Sequence, residues 1–519
     1  MLSKQSEGKR LLITAVFMSG ATMLSKVLGL LRDAMIAANF GTGMEADAFV
    51  TATKLPTTLF DMVIGGVISA SFIPIYTGLY TNDGEKSANR FANKFITMII
   101  MITAIITLVG IVFSRPLTGF IAPSYTADKF ELTLNLTRIM FPMIIFTGVA
   151  FSFVGLLQSR GEFHIPSIIS LVSNLVIILY FVIFGGKYGV TGLAVTMVIA
   201  WSLQVAVQVP ALVKFKYKYI PDFGIKDENI RKALVLAGPM LISTWVQPLS
   251  TLITSRLASG IDGAYASLEY ANRLYIIVTG VFSFVVTNLI FPKLSKANVT
   301  DDKETANALI STSLQAIVLV ILPMMVGFMV LATPITSIIY EHGKLDANGV
   351  IVVSGALRFY SVGMIGLAVN EIFTKTFFSM RDSKTPMITA IVSMAFTVLM
   401  AYALFGHMQT NGLALAVALG SIVNAILNFV VLIVRDKTIF KKSDLSNIVI
   451  TVVSVIVMFV FVFITYKIAY TDERTMLNQI VVCAICAVVG AFIYVAMLLI
   501  TKHTLIYKLI GKEIKHKNE

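Results

Sequence analysis

Apolar runs of about 20 residues, the length of helix that crosses a bilayer, follow one another from residue 11 to residue 501. No other feature constrains the chain as strongly. Hydrocarbon offers the backbone no water to bond, so each run must close its own N–H to C=O bonds as an α-helix. About fourteen segments are read: 11–39, 46–79, 93–118, 132–158, 165–185, 189–213, 231–257, 264–292, 306–332, 348–378, 386–405, 411–434, 446–469 and 477–501. Of the 519 residues 57% are hydrophobic and 13% charged, a balance that excludes a soluble globular protein. The expected fold is an all-α polytopic membrane protein. The second, eighth and tenth segments exceed the minimum and are expected to tilt, and Pro142, Pro239 and Pro323 to kink their helices.

A net charge of +13 invites a nucleic-acid reading, but the Lys and Arg residues gather where they would hold cytoplasmic loops in place. With the N-terminus inside, the cytoplasmic set includes Lys214, Lys216, Lys218, Arg231, Lys232, Lys437, Lys441 and Lys442, then Lys508, Lys512, Lys515 and Lys517 in the tail. An even number of spans returns both termini to the cytoplasm. The apolar run after the short basic N-terminal tail outlasts a signal peptide, so no cleavable signal is expected. Cys483 and Cys486 lie in an apolar run without polar partners and read as small packing residues. The histidines His164, His342, His407, His503 and His516 are scattered without metal spacing, and no GxxxxGK[ST] string occurs, so neither metal nor ATP chemistry is expected. The chain reads as a transporter rather than an enzyme, with no cofactor.

Eight basic residues fall within or at the edges of the spans: Lys26, Arg32, Lys54, Arg138, Arg256, Arg273, Arg358 and Lys375. A charge at that depth costs several kcal/mol, from roughly 2.5 upward, so such residues face protein or a water-filled cavity. An internal duplication supplies a frame for them. At an offset of about 218–220 residues, Pro74 falls on Pro292, Asp83 on Asp301, Arg138 on Arg358, Ser159 on Ser379 and Pro166 on Pro386. Gly192-Leu193-Ala194 falls on Gly412-Leu413-Ala414, and Lys54 on Arg273 to within one residue. The expected division is an N-lobe at 1–218, a C-lobe at 219–437, and two further helices with a basic tail at 438–519. Six spans per lobe put the repeat axis along the membrane normal, with a cavity between the lobes and Lys54 facing Arg273 across it.

Several charges admit a structural reading. Glu269 precedes Arg273 by one helical turn and Glu371 precedes Lys375 likewise, so each can form an ion pair on one face. Arg138 and Arg358 read as snorkelling residues near helix ends. Arg32, Lys54 and Arg273 come from the early parts of both lobes and can converge. Lys26 lies six residues before Arg32, somewhat off its face. Asp33 points about 100° away from Arg32, which leaves it to orient another cation or take part in gating. Excess positive charge in a shielded cavity suits an anion, and the planar fork of Arg suits phosphate.

The sequence resembles the MurJ (MviN) lipid II flippases of the multidrug/oligosaccharidyl-lipid/polysaccharide exporter superfamily over most of residues 10–435. The resemblance is densest in SKVLGLLRDAMIAANFGTGMEADAFVTATKLP at 25–56. TRIMFPMI at 137–144, LASG at 257–260, YANRLYIIVTGV at 270–281 and ALRFYSVGMIGLAVNEIFTKTFFSMRDSKTP at 356–386 add to it. It implies a fold opening alternately to either face and export of lipid II, an undecaprenyl-pyrophosphate-linked peptidoglycan precursor, across the bacterial cell membrane. By position, Arg32, Asp33 and Arg273 match the family's cavity residues. Lys26 stands where many members carry Arg, and Asp47 and Lys54 match motif positions. With Glu269, these form the expected transport site.

The family implies coupling to membrane potential or a monovalent cation, and partners among membrane lipids and the cell-wall synthesis machinery; no nucleic acid is expected. The chain departs from the family after KLP, where Phe60 and Asp61 occupy two usually basic positions and Gly65 a usual glutamate. That departure leaves room for a different undecaprenyl-linked glycan. A cation-coupled drug or metabolite antiporter of the same superfamily would instead use acidic residues as cation sites. In a non-transporting scaffold the charges would be structural only.

Overall fold

The computed structural model describes residues 2–64, 67–224, 227–470 and 475–509. Gly65 and the tail residues Lys512, Lys515, His516 and Lys517 lie outside the described residues. Every regular element among the described residues is a helix. The chain divides into two compact units, Met1–Ala266 and Ser267–Glu519.

The first unit opens with α1 (Leu2–Phe40), α2 (Met44–Val63) and α3 (Ile73–Asn82), the last two separated by a π-helical turn at Ile68–Phe72. Then come α4 (Glu85–Val112), α5 (Ser114–Ile121), α6 (Ala127–Met140), α7 (Met143–Ser159), α8 (His164–Phe184) and α9 (Gly189–Ala206). It closes with α10 (Val209–Lys214), α11 (Glu228–Thr244) and α12 (Val246–Ala258). In this unit α1 packs on α8, α8 on α9, α2 on α6 and α4 on α7. A core of Ile64, Phe72, Tyr76, Phe91, Phe95, Ile96 and Leu156 joins α2–α4 to α7. Phe72 stacks on both Tyr76 and Phe91 with ring centroids 5.6 Å apart.

The second unit holds most of α13 (Ala264–Val299), then α14 (Lys303–Val330), α15 (Ala332–Tyr340), α16 (Ala347–Val362) and α17 (Met364–Ser379). It continues through α18 (Lys384–Arg435), α19 (Lys442–Ala469), α20 (Met476–Ile500) and the short α21 (Thr504–Leu509). The α19–α20 hairpin docks on α14, where Val326 and Val330 meet Val455, Met458, Val462, Val482, Cys486 and Leu498. Cys486 is thus a packing residue, as its apolar surroundings predict. Outward faces keep large apolar side chains exposed, among them Val449, Ile456, Val488 and Phe492, as a helix facing lipid requires.

The helix ladder repeats. α4 begins at Glu85 and α14 at Lys303, 218 residues on; α6 begins at Ala127 and α16 at Ala347, 220 on; α8 begins at His164 and α18 at Lys384, again 220 on. Breaks repeat as well. Pro142 interrupts the chain between α6 and α7, where it removes a backbone donor, and Gly363 marks a 43° bend between α16 and α17. Among the described residues, eight helices are long and apolar enough to cross a membrane, or nine if that bent pair is one span.

The expected segments 386–405 and 411–434 are the two halves of α18, divided at Gln409, whose φ of 49° and ψ of −127° depart from helix. Pro323 lies inside α14.

Candidate functional site

Arg32 and Asp33 lie on α1 where it packs against α8. Arg32 donates from Nε and Nη2 to Asp33 Oδ1 at 3.0 and 2.8 Å, and from Nη1 to Asn174 Oδ1 at 3.0 Å. Asn174, on α8, is itself held by donating from Nδ2 to the Ser25 carbonyl at 2.9 Å. The expectation that Asp33 points away from Arg32 is therefore corrected. A guanidinium on a three-carbon stem folds back across the 100° between neighbouring positions and reaches the carboxylate. These bonds engage three of the five Arg32 N–H donors, and its side chain remains 14% exposed. The centre is a neutralised pair with donor capacity in reserve. Lys26, further back on α1, is half-buried and has no ion-pair partner among the described residues.

On α2, Lys54, Thr57 and Asp61 share one face at helical spacing, and the charge of Lys54 acts on Asp61. Phe60 turns inward, 7% exposed, and packs against Phe151 of α7 with ring centroids 5.9 Å apart. Beside them opens a cavity of about 190 Å³ bordered by Thr57, Phe60, Asp61, Thr147, Phe151 and Trp201. Phe60 and Asp61, the two departures at usually basic positions, are thus a core aromatic and a cavity carboxylate.

In the second unit both expected pairs form. Glu269 Oε1 lies 3.2 Å from Arg273 Nη2, and Glu371 Oε1 lies 3.8 Å from Lys375 Nζ. The Arg273 side chain is 47% exposed and Glu269 14%, so Glu269 anchors a guanidinium whose tip stays accessible. Arg138 donates to Ser114 Oγ at 3.0 Å and Arg358 to the Met329 carbonyl at 3.2 Å, each reaching a neighbouring helix end in its own unit.

Asp47 is placed differently from the others. Its carboxylate is completely buried and accepts from Lys129 Nζ at 2.7 Å and from the backbone N–H groups of Gly263 and Ala266, each at 2.8 Å. Its two oxygens tie the first turns of α2, α6 and α13 together. Gly263 permits this closeness: its φ is +74°, and a Cβ there would lie 2.3 Å from the Thr42 carbonyl oxygen. Asp47 is closed off as a contact for any ligand, so its place is structural.

Lys129 escapes a reading by hydropathy because it sits in a polar stretch before an apolar run. It is 1% exposed, also meets Asp262 Oδ1 at 3.0 Å, and lies 4.2 Å over the Tyr125 ring. Asn174 and Arg160 were likewise missed. Arg160 donates to Tyr76 Oη at 2.8 Å, Asn89 Oδ1 at 2.7 Å and the Phe215 carbonyl at 2.9 Å.

A sequence model of the family described as lipid II flippase MurJ matches residues 36–500. The chain belongs to the lipid II flippase MurJ family. Among curated MurJ proteins, the lipid II flippase MurJ of Burkholderia cenocepacia is 29% identical over 436 residues, 82% of this chain and 84% of that one. The probable lipid II flippase MurJ of Vibrio cholerae is 28% identical over 430 residues, 80% of this chain and 82% of that one. A solved lipid II flippase MurJ in an inward closed conformation superposes with a TM-score of 0.78 at 21% identity, over 96% of this chain and all of that one. An inward-facing MATE family transporter of the MOP superfamily gives 0.66 at 15% identity, over 82% of this chain and 98% of that one. The MurJ fold is therefore shared, and at these identities the solved structures speak to fold alone.

Proposed function

We propose that this chain is a flippase that carries lipid II from the inner to the outer leaflet of the bacterial cell membrane. The match to the MurJ family over residues 36–500 carries the proposal. In this reading the lobes 1–218 and 219–437 alternate in opening to the two faces, both termini are cytoplasmic, and the helices in 438–519 accommodate the lipid tail. Arg32, Lys54 and Arg273 share the diphosphate, with Lys26 as a further source of positive potential.

Asp33 and Glu269 act as resident counter-ions. Each holds a guanidinium in place while the cavity is empty and gives up part of it when phosphate arrives. That exchange offers a physical basis for a response to substrate, since a ligand shifts a conformational equilibrium only by binding its two states unequally. The driving force is assigned to membrane potential or a monovalent cation gradient, and docking to the cell-wall synthesis machinery follows from the product's fate.

The test is depletion of the protein with a leaflet-specific assay for lipid II. Lipid II should accumulate in the inner leaflet, and wild-type protein but neither Arg32→Ala nor Arg273→Ala should relieve it. Normal translocation by inserted Arg32→Ala protein would overturn the anion-site reading. The Phe60 and Asp61 substitutions favour one second reading, another undecaprenyl-linked glycan as cargo; relief of a block in a different glycan carrier, with lipid II unaffected, would select it. An antiporter would show neither effect.

A further inference from the structure

The cavity between α2, α7 and α9 has a chemistry that phosphate recognition does not explain. Its charged wall group is the carboxylate of Asp61, which would repel a diphosphate. The Thr57 hydroxyl donates its proton to the Thr53 and Lys54 carbonyls at 2.9 and 3.1 Å, and the Thr147 hydroxyl to the Met143 carbonyl at 2.8 Å. With their protons committed to the helix backbone, both oxygens can only accept from a guest. The remaining polar lining is thus a carboxylate and two acceptor oxygens, beside the aromatic side chains of Phe60, Phe151 and Trp201. An acceptor-rich, anionic, aromatic-bordered recess is complementary to an ammonium group, which brings three N–H donors, a positive charge and an apolar stem.

Size narrows the guest. About 190 Å³ far exceeds a bare monovalent ion and fits an alkylammonium side chain with its methylenes. A metal is disfavoured by composition, since no group of three His, Cys, Asp or Glu residues gathers anywhere among the described residues. A sugar would call for a mixture of donors and acceptors, whereas the two hydroxyls here only accept.

We infer that this recess is a subsite for a primary ammonium group carried by the transported head group, with Asp61 as its counter-ion and Thr57 and Thr147 as acceptors. The inference rests on the flippase reading for the identity of the cargo: in a muropeptide, the group is the free side-chain amine of a diamino acid. Lys54 couples this subsite to the proposed anion site. Its charge acts on Asp61 in the empty protein, and phosphate drawing Lys54 away leaves Asp61 to the incoming ammonium.

The chain has two tryptophans, Trp201 and Trp245, so Trp245→Phe protein reports on the recess through Trp201 alone. Titration of this full-length protein with Nα-acetyl-lysine amide should shift Trp201 emission saturably. The Nε-acetylated analogue should bind at least about tenfold more weakly, the scale of one charge-assisted hydrogen bond. Asp61→Asn should abolish the difference, and Thr147→Val should reduce it. Equal responses to both peptides, an equal response to ammonium chloride or N-acetylglucosamine, or a preference that survives Asp61→Asn would each overturn the subsite. A second arm compares binding of amine-bearing and N-acetylated lipid II. Arg32-dependent binding of lipid II without amine preference overturns the subsite and spares the flippase reading; amine preference in the peptide arm with no lipid II binding does the reverse.

Discussion

Lys129 Nζ lies 2.7 Å from Asp47 Oδ2, with the two side chains 1% and 0% exposed. This ion pair, supported by two backbone N–H donors, fastens the starts of three helices in the first unit. It is the most deeply buried ion pair among the described residues and takes no direct part in the proposed phosphate site.

Lys129→Met leaves the buried Asp47 carboxylate without a cation and should destabilise the protein by about 3–5 kcal/mol. Asp47→Ala leaves Lys129 its second partner, Asp262, and should cost less. Thermal unfolding in detergent measures this. The double variant Asp47→Asn with Lys129→Met should lie above either single charge deletion, because it removes both charges together.

Asn174 holds Arg32 from the opposite side to Asp33. Asn174→Leu should leave expression and folding largely intact while lowering lipid II binding several-fold, through loss of orientation rather than loss of charge. Arg32→Lys should bind more weakly still, because an ammonium cannot present the planar fork. Affinity measured for both variants in one detergent ranks the two effects.

Asp382 stands outside the spans in the loop between α17 and α18. Burial pushes its carboxyl up, but hydrogen bonds from the Thr385 hydroxyl and backbone N–H, together with Arg435, outweigh this and bring it from 3.8 to about 2. A carboxyl depressed on folding contributes stability that is complete above the unfolded value and lost as pH falls through the folded one. The melting temperature of the wild type should therefore exceed that of Asp382→Asn at neutral pH, with the gap closing between about pH 4 and pH 2.

His503, between α20 and α21, is 1% exposed, and its Nδ1 has no hydrogen-bond partner. Burial lowers its pKa below the ordinary 6.5, against a smaller opposing effect of a backbone hydrogen bond at Asn447. Folding thus excludes a proton that the unfolded chain takes up, so its contribution is full above about pH 6.5 and falls as acid is added. A melting-temperature profile from pH 8 to pH 5 should slope less in His503→Phe than in the wild type.

Helix positions were legible because bilayer crossing is a local property, set by about 20 consecutive residues and independent of what lies beside them. The duplication was legible for a related reason: conformation-setting residues such as Pro166 and Pro386 recur at one offset, and the helices α8 and α18 start at that same offset. The pairs Glu269–Arg273 and Glu371–Lys375 follow from helical periodicity alone. The break at Gln409 was legible too, since it falls in the polar interruption at 406–410 between the apolar runs 386–405 and 411–434.

Partners distant along the chain were invisible to local pattern. Asn174 lies 142 residues from Arg32, and Lys129 lies 82 from Asp47, so no periodicity links them. The sequence by itself determined that the chain is helical, membrane-spanning, duplicated and rich in intramembrane positive charge. Only the tertiary structure decided which charges are already satisfied: Asp33 binds Arg32, Asp47 is enclosed by Lys129, and Asp61 opens onto a cavity. The reason is physical. Hydropathy counts what a residue costs to bury, whereas pairing depends on where two side chains meet once the helices have packed.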